Sequence, residues 1–547
     1  MGGVLTRGAD HTPSVPCVVT KPTEIIFKSV IRNRSINDDY TFSKTILGRG
    51  FSGPVSLVTY KNTNRQYACK CYNKHGASEE RLEYLKSEAE VYLRLDHPNI
   101  AKLISIYEDD KQLSLIMEHC SGKELYHHLE QKLAYTEQDA AYITFQMLEA
   151  IYYLHAHNIV HRDIKLENWL YEDPRDIARL KLIDFGFSKF WYPRKSQKMH
   201  ASCGSLTYIS PETLSGSYTN ACDLWSLGVT VYMLLVGRPP FYGITTAEIV
   251  RRIHLGQFDI KNSRWKRISI LAQDFIEKLL NRDTAHRMTA KEALEHPWIQ
   301  QRVKLPEILI DIDVLKKMRR FAMSTRFRRV ALTMIASCLS SNEIQELVDQ
   351  FLEFDKNGDG SIQMSDFAEV MTHNFDISHK EIKKLFESIH RNPPPSSNEM
   401  TMDEFSIQYT EFVASLLEVR LQLHEDVIRQ AFLQFDRDHT GFITIENLKE
   451  ILGDSFQGET VETLVAVADT NGDGKIDYGE FLEMILTEAD EIGSITRVGS
   501  TEILGNLVQS QEGSLSSETV LGGFSILMEG QLRRNGSDLV APFSSFE

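Results

Sequence analysis

The sequence predicts two folded regions of different class in series: an α+β region over residues 40–298, and an all-α region of helix–loop–helix units over residues 342–488. Three observations carry that expectation. Alternating apolar residues punctuated by glycine from Tyr40 to about Lys70 read as hairpin strands, and helical periodicity broken by short loops follows over 79–95 and most of 124–300. Between 314 and 490 helical stretches are separated by clusters of Asp, Asn and Gly. The charge is uneven in the same place: residues 341–490 hold 32 Asp and Glu against 10 Lys and Arg, a net of −22, and with −16 for the whole chain the remainder sums to +6.

At about 150 residues per domain, 547 residues imply three to four domains. With 42% apolar, 25% charged and 10% aromatic residues the chain supports large cores, which excludes a mainly disordered or collagen-like polymer. The longest apolar run, Leu224 to Gly237, covers 14 residues and is too short to cross a bilayer. No charged segment followed by an apolar one opens the sequence, so no secretory signal is expected. The seven cysteines are odd in number and scattered, which fits a reducing, cytoplasmic setting without a disulfide framework.

Residues 1–39 hold few apolar clusters and several prolines (Pro13, Pro16, Pro22), and are expected to form a flexible leader. The opening Met1-Gly2-Gly3-Val4-Leu5-Thr6 fits the pattern in which Gly2 is myristoylated. One such chain binds membranes only marginally, so Lys21, Lys28, Arg32 and Arg34, or a palmitoyl group on Cys17, would have to supply a second signal. After Glu488 the sequence is rich in Ser and Gly with sparse apolar positions, and residues 489–547 are expected to be disordered.

Within the α+β region the segment Gly48-Arg49-Gly50-Phe51-Ser52-Gly53-Pro54-Val55 places three glycines in a turn between strands, where backbone N–H groups can meet phosphate oxygens. Alone this is weak, because glycine-rich turns are common. Fifteen residues past Val55 stands Lys70, able to neutralise phosphates, and a following helix carries Glu88, the carboxylate a buried lysine needs. Glu90 lies roughly 200° around that helix and is the poorer partner. His161-Arg162-Asp163-Ile164-Lys165-Leu166-Glu167-Asn168, then Asp184-Phe185-Gly186, complete the set. Asp163 can accept the proton of an acceptor hydroxyl, Asn168 and Asp184 can hold Mg2+ against the phosphates, and Lys165 can steady the transferring group. Ser210-Pro211-Glu212 and Asp223-Leu224-Trp225-Ser226 follow, with Arg287 placed to pair with Glu212. Shared order and spacing outweigh the alternative of unrelated turns and salt bridges.

Over about residues 42–298 the sequence resembles the protein kinases, and Lys165 resembles the serine/threonine branch. The resemblance implies that Leu47, Gly48, Gly50, Gly53, Val55 and Ala68 enclose ATP together with Lys70. It also implies that Met117 is the gatekeeper, Glu118 and Cys120 the adenine-binding hinge, Glu124 a ribose contact and Leu170 the adenine floor. Glu124 would also favour substrates with a basic residue upstream of the acceptor. One departure stands out: Ala201 occupies the place where related kinases carry a phosphothreonine that ties down Arg162. Arg162 is therefore expected to lack that partner, although Ser196, Ser202 and Ser205 remain sites of modification to consider.

In the acidic region Asp469 to Glu480 fits the twelve-residue EF-hand loop: Asp469, Asn471, Asp473, the carbonyl of Lys475, a water route at Asp477 and bidentate Glu480 supply oxygens, and Gly474 allows the sharp turn. Asp355, Asn357, Asp359 and Ser361 form a second good loop, which closes on the shorter Asp366 and should bind calcium less tightly. A third loop begins with Asp436, Asp438 and Thr440 but closes on Asn447, whose amide offers no bidentate carboxylate, so it is expected to be weak or empty. It starts 33 residues before the fourth, a natural pairing. Ile407-Gln408-Tyr409-Thr410-Glu411-Phe412 looks like the end of another hand whose upstream half is lost, with Met400 and Met402 where Asp should stand and Pro393-Pro394-Pro395 marking an insertion. Four hands are expected, two binding well.

Residues 314–340 carry seven Lys or Arg and no acid. Val314, Leu315, Met318, Phe321 and Met323, then Phe327, Val330 and Leu332, form an apolar stripe with the basic residues opposite. Composition alone leaves a nucleic-acid tail, a membrane helix and an internal contact open, but tethering between a basic-stripe binder's two candidate partners favours an internal contact, with no nucleic acid as partner.

The full order resembles the calcium-dependent protein kinases of plants, apicomplexans and ciliates, over roughly residues 40–488. The resemblance implies an α+β bilobal protein kinase fold followed by an all-α, calmodulin-like EF-hand domain, using ATP, Mg2+ and Ca2+ to phosphorylate proteins. It implies further that the junction, residues 299–341, holds the kinase off at low calcium. Two rivals are weighed beside it: a non-catalytic calcium-responsive scaffold, and a constitutive kinase whose EF-hands serve only for docking.

Overall fold

The computed structural model describes residues 29–31, 34–50, 53–74, 79–175, 178–192, 198–200, 204–302, 310, 312–340, 343–390, 406–418 and 421–486. Strands β1 (Ser29–Ile31), β2 (Tyr40–Gly50), β3 (Gly53–Tyr60), β4 (Gln66–Asn73), β5 (Leu103–Glu108) and β6 (Gln112–Glu118) form one sheet in the order β1-β5-β6-β4-β3-β2. Alternation on β4 sends Ala68, Lys70 and Tyr72 to one face and Tyr67, Cys69 and Cys71 to the other. On the outer face Tyr40 gathers the rings of Tyr60, Tyr67 and Tyr107 at 5.1, 6.0 and 5.9 Å.

The end of the leader is folded, which corrects the expectation for residues 29–31 and 34–39. Strand β1 pairs in parallel with β5, and the short helix Ile36–Asp39 is closed by a Ser35–Asp38 capping box. Asp39 then takes hydrogen bonds from Arg34 and from the Tyr107 hydroxyl at 2.7 Å, so a buried carboxylate fixes the chain to the sheet. Gly2, Lys21, Lys28, Arg32 and Cys17 lie outside the described residues, as do the inserted prolines, Met400 and Met402.

The second lobe is helical. Helix Glu137–Ala156 is capped by Thr136, and helix Ala221–Val236, the long apolar run of the sequence, is buried along nearly its whole length and ends at Gly237 in the left-handed region. Among the described residues no helix is long and apolar enough to cross a membrane.

The junction is two helices rather than one: Ile312–Met323 and Arg326–Cys338, broken where the Thr325 hydroxyl accepts from Arg328 N. The break corrects the expected continuous stripe, and Met323, about 180° around the first helix from Val314, is 67% exposed while Val314, Leu315, Met318, Phe321, Phe327, Val330 and Leu332 are buried. These share one core with the EF-hand helices, among them Phe351, Phe412, Phe432 and Phe481. Each such burial stabilises by about 1.5–3 kcal/mol. The basic residues add less: Arg319 pairs with Glu381 and Arg326 with Glu459 at the surface, each pair worth about 0.2–1 kcal/mol. Apolar burial therefore holds the junction, and charge orients it.

Both pairs of hands keep the backbone pairing between loops. Ser361–Gln363 is antiparallel to Ser406–Gln408, and Ile443 bridges Ile476. The second hand thus retains its strand and exit helix Tyr409–Leu416.

The EF-hand region also touches the kinase lobes directly. Asp96 accepts from Thr410 N at 2.9 Å and from its hydroxyl at 2.7 Å, Arg179 pairs with Asp349 at 2.8 Å, and Tyr67 donates to Gln430 at 3.0 Å. Lys102 Nζ donates to the carbonyl of Leu339 at 2.9 Å, capping the end of the second junction helix.

Candidate active site and calcium loops

Strand β4 and the helix Glu79–Tyr92 bring Lys70 and Glu88 together at 2.8 Å, and Lys70 reaches Asp184 at 2.6 Å. Burial alone would strip charge from Lys70, yet the two carboxylates hold its ammonium above the usual range. Burial opposes ionisation of Asp184 as well, and the charge of Lys70 with its hydrogen bond keeps that carboxyl low. Glu88 is fully buried and its carboxyl is raised by that burial; Tyr72 donates to its second oxygen at 2.5 Å. Tyr72 is a supporting residue the sequence did not single out, although its place two residues after Lys70 puts it on the same face.

A column of rings sets this geometry. Tyr92, one turn after Glu88, meets Phe185 at 4.8 Å, and Phe185 meets His161 at 5.0 Å. The main-chain N–H groups of His161 and Arg162 donate to Asp223 at 2.9 and 2.8 Å. Arg162 and Asp184 both stand at positive φ, 69° and 61°, strain that the column and Asp223 maintain.

On the catalytic loop Lys165 Nζ lies 2.5 Å from Asp163 Oδ2, and Asn168 Nδ2 donates to the Asp163 carbonyl at 2.8 Å. Using its NH2 in this way leaves the Asn168 carbonyl oxygen for a cation. Ile183 N donates to Asn168 O at 2.9 Å, which ties the loop to the segment bearing Asp184. The residues present therefore fit Mg2+: one amide oxygen and one ionised carboxylate, on adjoining backbones.

Around the nucleotide cleft, Gly48 pairs with Val55 and Gly50 with Gly53 at the tip of the hairpin, Leu47 is 38% exposed, and Ala68 pairs with the buried Met117. A Cβ on Gly48 would meet nothing within 4 Å, so the turn is open to a ligand above it. Glu118 accepts from Lys102 N at 3.1 Å through its side chain, which also pairs with Lys181 at 3.3 Å, and its main-chain N–H donates to Lys102 O at 2.8 Å, so the hinge is fixed to the neighbouring strand. Cys120 is half-buried beside it, and Leu170 bridges Glu124 across the cleft floor.

Arg162 does have partners: Nε donates to Phe187 O at 2.5 Å and NH1 to the Tyr218 hydroxyl at 3.2 Å. These are not the phosphothreonine whose place Ala201 takes; Ala201, Ser196 and Ser202 lie outside the described residues. Glu212 and Arg287 form the expected pair, bidentate at 2.5 and 3.0 Å. Glu124 stands at the cleft mouth, its carboxyl raised by burial and by the nearby charge of Glu167. Glu167, inside the catalytic-loop motif, is a second acidic group there that sequence reasoning passed over; Tyr208 donates to it at 3.2 Å.

In the first calcium loop Asp355 accepts from Asp359 N and Gly360 N at 3.2 and 2.8 Å, Asn357 Oδ1 from Asp359 N at 2.9 Å, and Asp359 Oδ1 from the Ser361 hydroxyl at 2.8 Å. The twelfth residue, Asp366, has a buried Oδ2 with no hydrogen-bond partner, an orphaned acceptor that a hard cation would satisfy. In the fourth loop Asp469 collects the N–H groups of Gly472, Asp473 and Gly474, Asn471 accepts from Asp473 N, and Asp473 from Lys475 N. Glu480 accepts from Thr470 and Asn471 through one oxygen and from Asp477 N through the other, and Asp477 accepts from Glu480 N. Among the described residues no three carboxylate, imidazole or thiol groups converge on one point. Both loops set amide, hydroxyl and main-chain oxygens beside their carboxylates, the all-oxygen chemistry that calcium takes. In the third loop Asp436 accepts from Thr440 N and Gly441 N, and Thr440 donates to Asp438, while Asn447 spends its side-chain oxygen on Thr444 N as a helix cap. That role accounts for a residue that makes a poor ligand.

Comparison with known proteins agrees with this geometry. Residues 41–299 match the protein kinase domain, 425–486 an EF-hand domain pair and 347–371 an EF hand. The chain is 33% identical over 487 residues to calcium-dependent protein kinase 34 of Arabidopsis thaliana, covering 88% of this chain and 90% of that one. It is 34% identical to calcium-dependent protein kinase 15 of Oryza sativa (83% and 82% covered) and 33% identical to calcium-dependent protein kinase 5 of Plasmodium falciparum (83% and 79% covered). With a complete phosphotransfer set, a clasped basic junction and relatives along most of its length, the chain belongs to the calcium-dependent protein kinases.

Proposed function

We propose that the chain transfers the γ-phosphate of ATP to serine or threonine hydroxyls of proteins, under control of calcium bound by its own EF-hands. The observation that carries this is the connected set Glu88–Lys70–Asp184 and Asp163–Lys165–Asn168, on a chain whose junction is folded into the EF-hand core. Lys70 orients phosphates, Asp163 receives the hydroxyl proton of the acceptor, and Lys165 steadies the transferring group. Magnesium supplies charge neutralisation at the phosphates, with Asn168 and Asp184 as its holders. The test is Asp163→Asn, which is expected to abolish transfer to a peptide substrate while leaving the fold intact; full transfer by that variant would overturn the assignment.

The finer parts of the reading have narrower support. The junction shuts the cleft at low calcium because its basic face complements the acidic mouth formed by Glu124 and Glu167, and calcium draws it back into the EF-hands. A near-complete switch needs a difference of about 5.5 kcal/mol between the two arrangements. Transfer measured in EGTA, in calcium, and for a fragment ending near residue 310 tests this: a fragment no more active in EGTA than the intact chain removes the restraint. The same acidic mouth supports substrates with Arg or Lys upstream of the acceptor, and a peptide library without that preference counts against it. Membrane tethering through Gly2 rests on the sequence pattern alone and is read by labelling with a myristate analogue.

One observation favours a second reading, a kinase active without calcium. The Lys70–Glu88 pair is closed and both junction helices lie inside the EF-hand core. Equal transfer in EGTA and in calcium establishes it.

A further inference from the structure

Strand β4 carries Cys69 and Cys71 on the face opposite Lys70, and the two thiols lie 3.3 Å apart. We propose that this pair is an oxidisable dithiol, closed by a hydroperoxide into a disulfide that distorts β4 at Lys70 and turns phosphate transfer off. The inference concerns regulation of the site described above, so its activity arm rests on the phosphotransfer reading and its linkage arm does not.

The two thiols differ in the way such chemistry needs. Cys69 is fully buried, within the outer-face cluster. Cys71 is half-buried and is approached by the Ser114 hydroxyl at 3.5 Å, which itself accepts from Gln112 Nε2 at 2.8 Å. Donation from Cys69, with those polar neighbours, lowers the Cys71 thiol to about 7, so a large thiolate fraction exists at neutral pH. The thiols of Cys120 and Cys338 are pushed the other way by burial.

The chemistry balances with the hydroperoxide as oxidant. The Cys71 thiolate attacks the peroxide, an S–O bond forms, the O–O bond breaks, and a proton completes the departing water or alcohol. The Cys69 sulfur then attacks the sulfenic sulfur; the S–S bond forms, the S–O bond breaks, and the thiol proton leaves with the hydroxyl as water. Two electrons from the thiol pair reduce one peroxide, and an added dithiol reverses the change by exchange.

Geometry says where the strain falls. Two residues of extended strand span about 6.6–6.8 Å between Cα atoms, the upper edge for a disulfide whose usual span is about 5.5–6 Å. Closure therefore contracts β4 by roughly 1 Å across Lys70, and a displacement of that size at a catalytic group costs about a hundredfold in rate. Lys70 has little slack: it pairs in register with Val55 and Leu115 and bridges Glu88 and Asp184.

The test uses the full chain. Trypsin cuts after Arg65, Lys70 and Lys74, so the two cysteines fall on separate peptides, Gln66–Lys70 and Cys71–Lys74, which a disulfide joins into one species two hydrogens lighter than their sum. Peroxide is expected to produce that species and to lower transfer about a hundredfold, with dithiothreitol restoring both. Cys71→Ser, and separately Cys69→Ala, keep their activity under the same peroxide. The proposal is overturned if inactivation proceeds without the joined peptide, if either variant is inactivated as fast as the parent, or if the joined species remains fully active. A chain that forms the joined peptide yet transfers no phosphate when reduced overturns the kinase reading, and the switch with it, while leaving the dithiol in place.

Discussion

Gly360 and Gly474 hold the same sixth place in the first and fourth calcium loops, at φ 81° and 83°, and their surroundings are opposite. A Cβ on Gly360 would overlap the Tyr153 ring and come within 2.9 Å of His97, both in the kinase lobes, whereas a Cβ on Gly474 would meet nothing within 4 Å. Asp355, which opens the first loop, is buried, and its carboxyl is pushed up by that burial and by Asp359; Asp469, which opens the fourth, is held low by the N–H groups of its own loop. The same ligand chemistry is thus built once as a joint against the enzyme and once as an open sensor. The first loop lies against the kinase surface, and the fourth leads into Phe481, which packs with Phe435 on Phe327 of the second junction helix.

The contrast is sharpest under Gly360→Ala against Gly474→Ala. The first adds overpacking of about 1–3 kcal/mol to the backbone strain, and the second carries only the left-handed strain of about 1–2 kcal/mol. Calcium-stimulated transfer by Gly360→Ala is expected to fall at least about fivefold further than by Gly474→Ala; equal losses would break the comparison. Next in size is Asp96→Ala, which leaves Thr410 N and its hydroxyl without their buried acceptor at about 1–3 kcal/mol. Hydrogen exchange over residues 406–416 should quicken while that over 461–486 does not. Asp366→Glu lengthens the twelfth ligand of the first loop toward the reach that Glu480 has in the fourth, and calorimetry should find first-loop affinity raised roughly tenfold. The smallest effect belongs to Arg65→Gln, which removes a half-exposed pair with Glu343 at 2.6 Å; under about 1 kcal/mol of docking is lost, and salt masks it.

The catalytic residues were legible because phosphate transfer demands particular side chains at particular spacings, and Lys70, Glu88, Asp163, Asn168 and Asp184 come together as those spacings imply. The helix–loop–helix frames around Asp355 and Asp469 were legible for the same reason. The contact between kinase and EF-hands was not: Asp96 and Thr410 are separated by 314 residues and Arg179 and Asp349 by 170, and neither pair has a local signature. Met323 misled because it was counted for being apolar although it lies about 180° around the helix from Val314, and the Ser324-Thr325 step that ends the helix, a capping signal, was passed over. In the second hand the liganding residues had gone, yet Ser406–Gln408 still pairs with the first loop, since strand pairing asks only for backbone groups.

Lys102 sits where two parts of the machine can be compared. Its main chain trades hydrogen bonds with Glu118 at the hinge, and its ammonium grips the terminal carbonyls of the second junction helix. A slide of that helix by a single turn, about 5.4 Å, would carry those carbonyls out of reach. In any such slide the lysine would act as a detent, holding the linker at one axial setting against the nucleotide-binding lobe, because intermediate settings would leave a buried amine to bear the misfit.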